Sequence, residues 1–217
     1  LLYSGDALTH RNIIAIGASA GGIGAIRAVL SVLPADLPAS IFIVLHIPTH
    51  TPTHLAEVLG RHCRLPVVSP VDKERICSGK VYVGVADRHL MIEHDSIRLS
   101  RGPKENRFRP AIDVLFRSAA HEYERRVIGV VLSGMLDDGT AGLWAIKDRN
   151  GISILQAADE AEFPSMVDSA RQYVEIDHQT GAADIGSLLN RLTRESLPDL
   201  EATPPNRALD LERRIAR

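Results

Sequence analysis

With 217 residues, 25 Lys and Arg against 27 Asp and Glu, and a formal net charge of −2, the chain can bury one sizeable core. That near balance excludes broad electrostatic binding of nucleic acid or of an anionic membrane surface. Two cysteines, Cys63 and Cys77, exclude a disulfide scaffold and point to a reducing, cytoplasmic setting. No apolar run is long enough to span a bilayer, and the opening residues lack the pattern of a secretory signal. The chain begins at Leu1, which fits either a processed chain or a piece of a longer one.

Residues 1–12 read as an extension ahead of a domain at 13–195. Branched apolar runs predict strands at 13–16, 41–45, 67–68, 80–85, 127–132, 152–155 and 173–176. Between the first two, Ile23, Ile26, Val29, Leu30 and Leu33 form a helical stripe that Pro34 stops. Residues 53–62 and 111–124 read as further helices, and Trp144 with Leu143 and Ile146 as a helix-packing face. Residues 89–93 and 96–100 predict a hairpin inserted around His94-Asp95. Leu188 to Leu192 completes the last helix. Residues 196–207 hold Pro198, Pro204 and Pro205 and read as a linker, and 208–217 as a charged amphipathic helix. Buried strands alternating with helices predict an α/β fold: a doubly wound, mostly parallel sheet with helices on both faces and an inserted β-hairpin.

The chemistry starts at Gly17-Ala-Ser19-Ala-Gly21-Gly22, where a strand runs into a small-residue turn ahead of a helix. Such a turn displays a serine hydroxyl at the sheet edge. His46 follows the second strand, and Asp138 follows the strand at 127–132. Parallel strands open their carboxyl ends onto one crevice, so the three can meet there. Serine needs a base to take its proton, an imidazole suits that task, and a carboxylate holds the imidazole in the right tautomer. Ser19 is therefore expected as nucleophile, His46 as base and then acid, and Asp138 as its orienting partner, with Asp137 as the other candidate. Backbone amides of Ala20, Gly21, Gly22, Gly134 and Met135 are expected to support a developing oxyanion. The Ser-His-Asp chain order differs from the Ser-acid-His order of α/β hydrolases. A nucleotide-binding module is the competing reading of the glycine-rich turn, but the dinucleotide fingerprint is incomplete. His50, His54 and His62 do not form the His-Glu-x-x-His zinc motif, and neither a metal nor an organic cofactor is expected.

Taken together, Gly17-Ala-Ser-Ala-Gly-Gly22, His46-Ile-Pro, Asp87-Arg-His89, Gly102-Pro-Lys-Glu-Asn-Arg-Phe-Arg-Pro110, Asp113-Val-Leu-Phe116 and Gly134-Met-Leu-Asp-Asp-Gly139 resemble the CheB family of protein-glutamate methylesterases. The similarity runs over about residues 13–192. It implies hydrolysis of γ-glutamyl methyl esters on chemoreceptors through an acyl-serine, with receptor glutamine deamidation as a second activity. The family's Gly-Met-Gly-x-Asp-Gly pattern favours Asp138 over Asp137. It also implies a partner, the cytoplasmic region of a methyl-accepting chemoreceptor, and a receiver or methyltransferase domain outside this chain. Leu136 stands where the family pattern has glycine, and Phe108 where it commonly has histidine. These two departures leave an inactive receptor-docking module as an alternative. Arg107 and Arg109 are expected as a cationic rim for an acidic receptor helix.

Overall fold

The first strand, β1 (Ile13–Ala18), is apolar from end to end and buried from end to end. In the computed structural model, which describes residues 9–46 and 54–197 together with Glu212, Ile215 and Ala216, β1 lies in the middle of a seven-stranded sheet. On one side it pairs in parallel with β2 (Ser40–Leu45). Beyond β2 lie β4 (Lys80–Val83) and β3 (Val67–Val68), also parallel. On its other side come β7 (Val127–Val131), β8 (Ile152–Gln156) and β9 (His178–Thr180), parallel throughout.

Alternation along β1 divides the core in two. Ile13 and Ala15 face a cluster built with α3 (Ile112–Tyr123), α4 (Thr140–Asp148) and α5 (Ser165–Tyr173). Ile14, Ile16 and Ala18 face α1 (Gly22–Ser31), α2 (Leu55–Gly60) and α6 (Ala182–Leu192). A sheet covered on both faces has no wet side, which is why its strands read as continuous apolar runs. The doubly wound α/β architecture expected from the sequence is the observed one. The inserted hairpin is β5 (His89–Glu93) with β6 (Ser96–Ser100), closed at His94-Asp95 where both residues have positive φ.

Three readings change. Residues 173–176 are not a strand: Tyr173 ends α5, and the edge strand is β9, starting at His178. The alternation there comes from Val174 and Ile176 packing into the core without joining the ladder. Trp144 does not share the packing face of Leu143 and Ile146; those two are buried, whereas Trp144 is 53% exposed. Leu55–Gly60 forms the helix expected at 53–62, with Thr53 outside the described residues. Most of the linker and terminal helix expected at 196–217 also lies outside them.

α3 and α4 cross so closely that Gly142 has no room for a side chain. A Cβ there would stand 2.5 Å from Phe116 Cβ and 3.0 Å from Asp113 Cα. Gly142→Ala is expected to destabilise the fold by about 1–3 kcal/mol through overpacking. Chemical denaturation with an unchanged m-value checks it.

Candidate active site

β2, β1 and β7 are neighbours, and the chain leaves each at the same edge of the sheet. The order reverses across β1, because α1 carries the chain to β2 on one side and β7 returns on the other. Crevices in open α/β sheets form at such a switch point. Ser19 N–H donates to the Ser133 carbonyl (3.0 Å), and His46 N–H donates to the Ala18 carbonyl (3.1 Å). The residues after all three strands are thus tied to one another by backbone.

His46 and Ser19 meet there, with Nδ1 3.1 Å from the serine Oγ. The other ring nitrogen, Nε2, lies 2.6 Å from Asp138 Oδ2. In the tautomer this arrangement calls for, Nε2–H donates to the carboxylate and the Nδ1 lone pair faces the serine hydroxyl. Asp138 is wholly buried and the His46 side chain is 4% exposed. Asp137, the other candidate, is exposed and lines a cavity of ≈ 420 Å³ with Trp144 and Tyr173.

A buried carboxylate needs partners, and Asp138 has four. Oδ2 accepts from His46 and from Ile112 N–H (2.7 Å); Oδ1 accepts from Asp113 N–H (3.1 Å) and Asn106 Nδ2 (2.8 Å). Ile112 and Asp113 open α3, so Asp138 caps a helix that carries no cap of its own. Free N–H groups and the helix dipole both favour a negative charge at that position. Burial works against ionisation, but the His46 contact and these donors hold the Asp138 carboxyl below the ordinary carboxylate range.

Asp113 returns the arrangement. Its Oδ1 accepts from Gly139 N–H (3.0 Å) and Gly142 N–H (2.6 Å), capping α4, while Oδ2 accepts from Asn106 Nδ2 (2.8 Å). Burial first, and then the charge of Asp138, push the Asp113 carboxyl up to about 7. The Asn106 amide therefore spans two carboxyl groups of opposite tendency. His89 anchors the same region from behind, with Nε2 2.8 Å from the Pro103 carbonyl and Nδ1 accepting from Ala111 N–H (3.2 Å). Burial lowers its pKa and keeps it neutral for that pair of bonds.

Of the five expected oxyanion supports, two have their amides committed within the fold. Gly22 N–H donates to the Ser19 carbonyl (3.0 Å), and Gly134 N–H donates to the Phe163 carbonyl (2.9 Å). Their part is to shape the turn: Gly22 lacks room for a Cβ against Ala18, and Gly134 against Met166 and Ser19. The amides of Ala20, Gly21 and Met135 have no backbone acceptor among the described residues. Arg109 donates to Asp87 Oδ1 (2.6 and 3.1 Å) and to the Arg101 and Gly102 carbonyls, so its guanidinium is engaged within the fold. Arg107 stands exposed at the tip of its turn.

Sequence reasoning quoted Asn106, Asp113 and Phe108 inside motifs without a role for them. Asp113 had a local signal: it lies on an otherwise apolar helix face, where an acid is seldom buried without partners. Asn106 had none, because a turn amide does not name its acceptors, and one of them, Asp138, lies 32 residues away.

A family model, CheB methylesterase, matches residues 14–189. A Yersinia pestis protein-glutamate methylesterase/protein-glutamine glutaminase is 44% identical over 153 residues, covering 69% of this chain and 44% of the relative. The Escherichia coli K12 protein of the same name is 38% identical over 159 residues, covering 71% and 45%. A Leptospira interrogans protein, given that name provisionally, is 37% identical over 185 residues, covering 85% and 96%. The chain therefore spans less than half the length of the first two relatives and nearly all of the third. Among solved structures, the Thermotoga maritima CheB methylesterase catalytic domain superposes with a TM-score of 0.80 at 30% identity, covering 83% of this chain and 98% of that one.

The charge state of Asp113 has a measurable consequence. A carboxyl raised from 3.8 to about 7 on folding contributes stability that is fully present below the unfolded value and is lost as pH rises through the folded one. Asp113→Asn keeps an oxygen for Gly139 and Gly142 but has no titration. Between about pH 4 and pH 8, stability should shift progressively in favour of the variant over the parent. Urea denaturation of both proteins across that range measures the trend.

Proposed function

The chain belongs to the CheB methylesterase family, and we propose that it hydrolyses γ-glutamyl methyl esters on the cytoplasmic region of a chemoreceptor, releasing methanol and restoring the glutamate side chain. The observation that carries this reading is the unbroken line from Ser19 Oγ through the His46 ring to the buried Asp138 carboxylate.

The geometry supports an acyl-serine route. His46 Nδ1 takes the Ser19 proton as Oγ attacks the ester carbonyl, and Asp138 stabilises the resulting imidazolium through Nε2–H. Negative charge gathers on the carbonyl oxygen, and the amides of Ala20 and Met135, which have no backbone acceptor among the described residues, are the donors assigned to meet it. Collapse expels methoxide, which leaves as methanol with the proton from Nδ1. Water, deprotonated by the same nitrogen, then attacks the acyl-serine and frees the glutamate. With a glutamine side chain, ammonia leaves in place of methanol by the same steps, so deamidation needs no further group. All of this uses side chains and amides of the chain itself and calls on no cofactor.

Exposed Ile23, which follows the serine turn, and exposed Met135 and Leu136, which precede Asp138 by two to three residues, offer apolar contact to a receptor helix, and exposed Arg107 offers a cationic one. Among the described residues no helix is long and apolar enough to cross a membrane. A receiver or methyltransferase domain outside this chain would supply regulation. The inactive-docking alternative loses ground to the intact hydrogen-bonded triad. The nucleotide-binding alternative loses ground to the His46 ring, which fills the place beside Ser19.

Methanol release from a γ-glutamyl-methylated receptor fragment tests the reading. Ser19→Ala is expected to lower turnover at least about 1,000-fold with the fold intact by circular dichroism. Asp138→Asn should cost about 10,000-fold by supporting the wrong tautomer. Full turnover in folded Ser19→Ala would overturn the assignment.

A further inference from the structure

The turn from Glu105 to Phe108 closes with a reciprocal pair of backbone bonds, Glu105 N–H to the Phe108 carbonyl (3.1 Å) and Phe108 N–H to the Glu105 carbonyl (2.8 Å). Asn106 and Arg107 between them both take positive φ, 49° and 71°. A two-residue turn of this kind is narrow and fixes the directions of the side chains at its ends. It is pinned from outside by Glu105, whose carboxylate accepts twice from Arg117 Nη2 on α3 (2.5 and 2.6 Å). From inside the turn, Asn106 donates to Asp138. At its end, Phe108 lies flat on the His46 imidazole: the two ring centroids are 3.5 Å apart and the planes differ by 6°.

We propose that Phe108 is a positioning residue, whose ring fixes the plane of the His46 imidazole between Ser19 and Asp138 by stacking on one of its faces. The inference rests on the esterase reading above. Two hydrogen bonds at opposite nitrogens define an axis but leave the ring free to rock about it. A second ring in face contact removes that freedom. Phe108 is itself half-buried against Met91, Ala111 and Val114, so the support behind the stack is packed rather than loose. The benzene ring has no proton to exchange and no hydrogen bond to offer, so it cannot compete with Asp138 or Ser19 for the imidazole nitrogens. Its negative face also favours the imidazolium formed as Ser19 attacks. The groups that face His46 from its other sides are Ser19, at the end of β1, and Asp138, ahead of α4. Asn106 and Asp113 adjoin Asp138 from the turn and from α3.

The test compares Phe108→Leu, which keeps apolar bulk, with Phe108→Tyr, which keeps the ring. Phe108→Leu is expected to lower kcat about 10- to 100-fold with KM within about twofold, since substrate binding is untouched and only the angle of the base is lost. Phe108→Tyr should restore kcat to within about threefold of the parent, because the stacking face is unchanged. An independent signature comes from the free protein. The His46 ring protons should resonate upfield from the Phe108 ring current, keep that shift in Phe108→Tyr and lose it in Phe108→Leu. Parental kcat in Phe108→Leu, or ring-proton shifts that ignore the substitution, would overturn the proposal. Absence of methanol release by the parent protein would count against the esterase reading alone, and the resonance shifts would still decide the role of Phe108.

Discussion

The site depends on an exchange of carboxylates between two crossing helices. Asp138, just ahead of α4, accepts the first amides of α3, while Asp113, in the first turn of α3, accepts amides at the start of α4. Each helix start would otherwise bury unpaired donors, a costly arrangement in a dry interior. The exchange fixes the relative position of the two helices within hydrogen-bond tolerance. It also places one carboxylate where a histidine on a third element can reach it. Stability and chemistry thus share the same atoms. The carboxylate proposed as the triad acid is rigid because the fold uses it as a cap.

That sharing explains the asymmetry between the two acids. Both are buried and near one another, so full ionisation of the pair is opposed by their mutual repulsion. The His46 contact belongs to Asp138 alone, and it decides which acid carries the charge. Asp113 is left with a raised pKa and a structural task. Asn106 bridges the two and belongs to a turn whose far end supports the imidazole. The proposed base, His46, and its carboxylate partner, Asp138, are therefore both touched by one short segment, which is in turn anchored to α3 through Glu105 and Arg117. A catalytic group held on several sides loses little freedom at the moment of reaction.

Much of this was legible in the chain. Apolar runs at 13–16, 41–45 and 127–132 located the central strands, since strands buried on both faces cannot afford polar alternation. The serine turn, His46 and Asp138 each follow one of those runs, and the structure brings them together at adjacent strand ends. The region at 173–176 misled because Val174 is buried and Ile176 partly buried for packing, and such packing imitates a strand's alternation. The charge of Arg109 does not name its partner, which is Asp87, 22 residues back in the chain. Trp144 misled because an aromatic residue beside buried ones on a helix can still face outward.

What the sequence by itself determined is the set of elements and the chemical types at their ends. Those follow from local rules: periodicity, turn residues and the reach of one strand into one loop. Only the tertiary structure decided which amides are spent, which acid pairs with Arg109, and that Asn106, Asp113 and Phe108 gather around Ser19, His46 and Asp138. These are contacts between segments distant in the chain, and their existence depends on distances of a few tenths of an ångström. No local pattern carries that information, because a side chain's partner is set by the path of the whole backbone rather than by its neighbours.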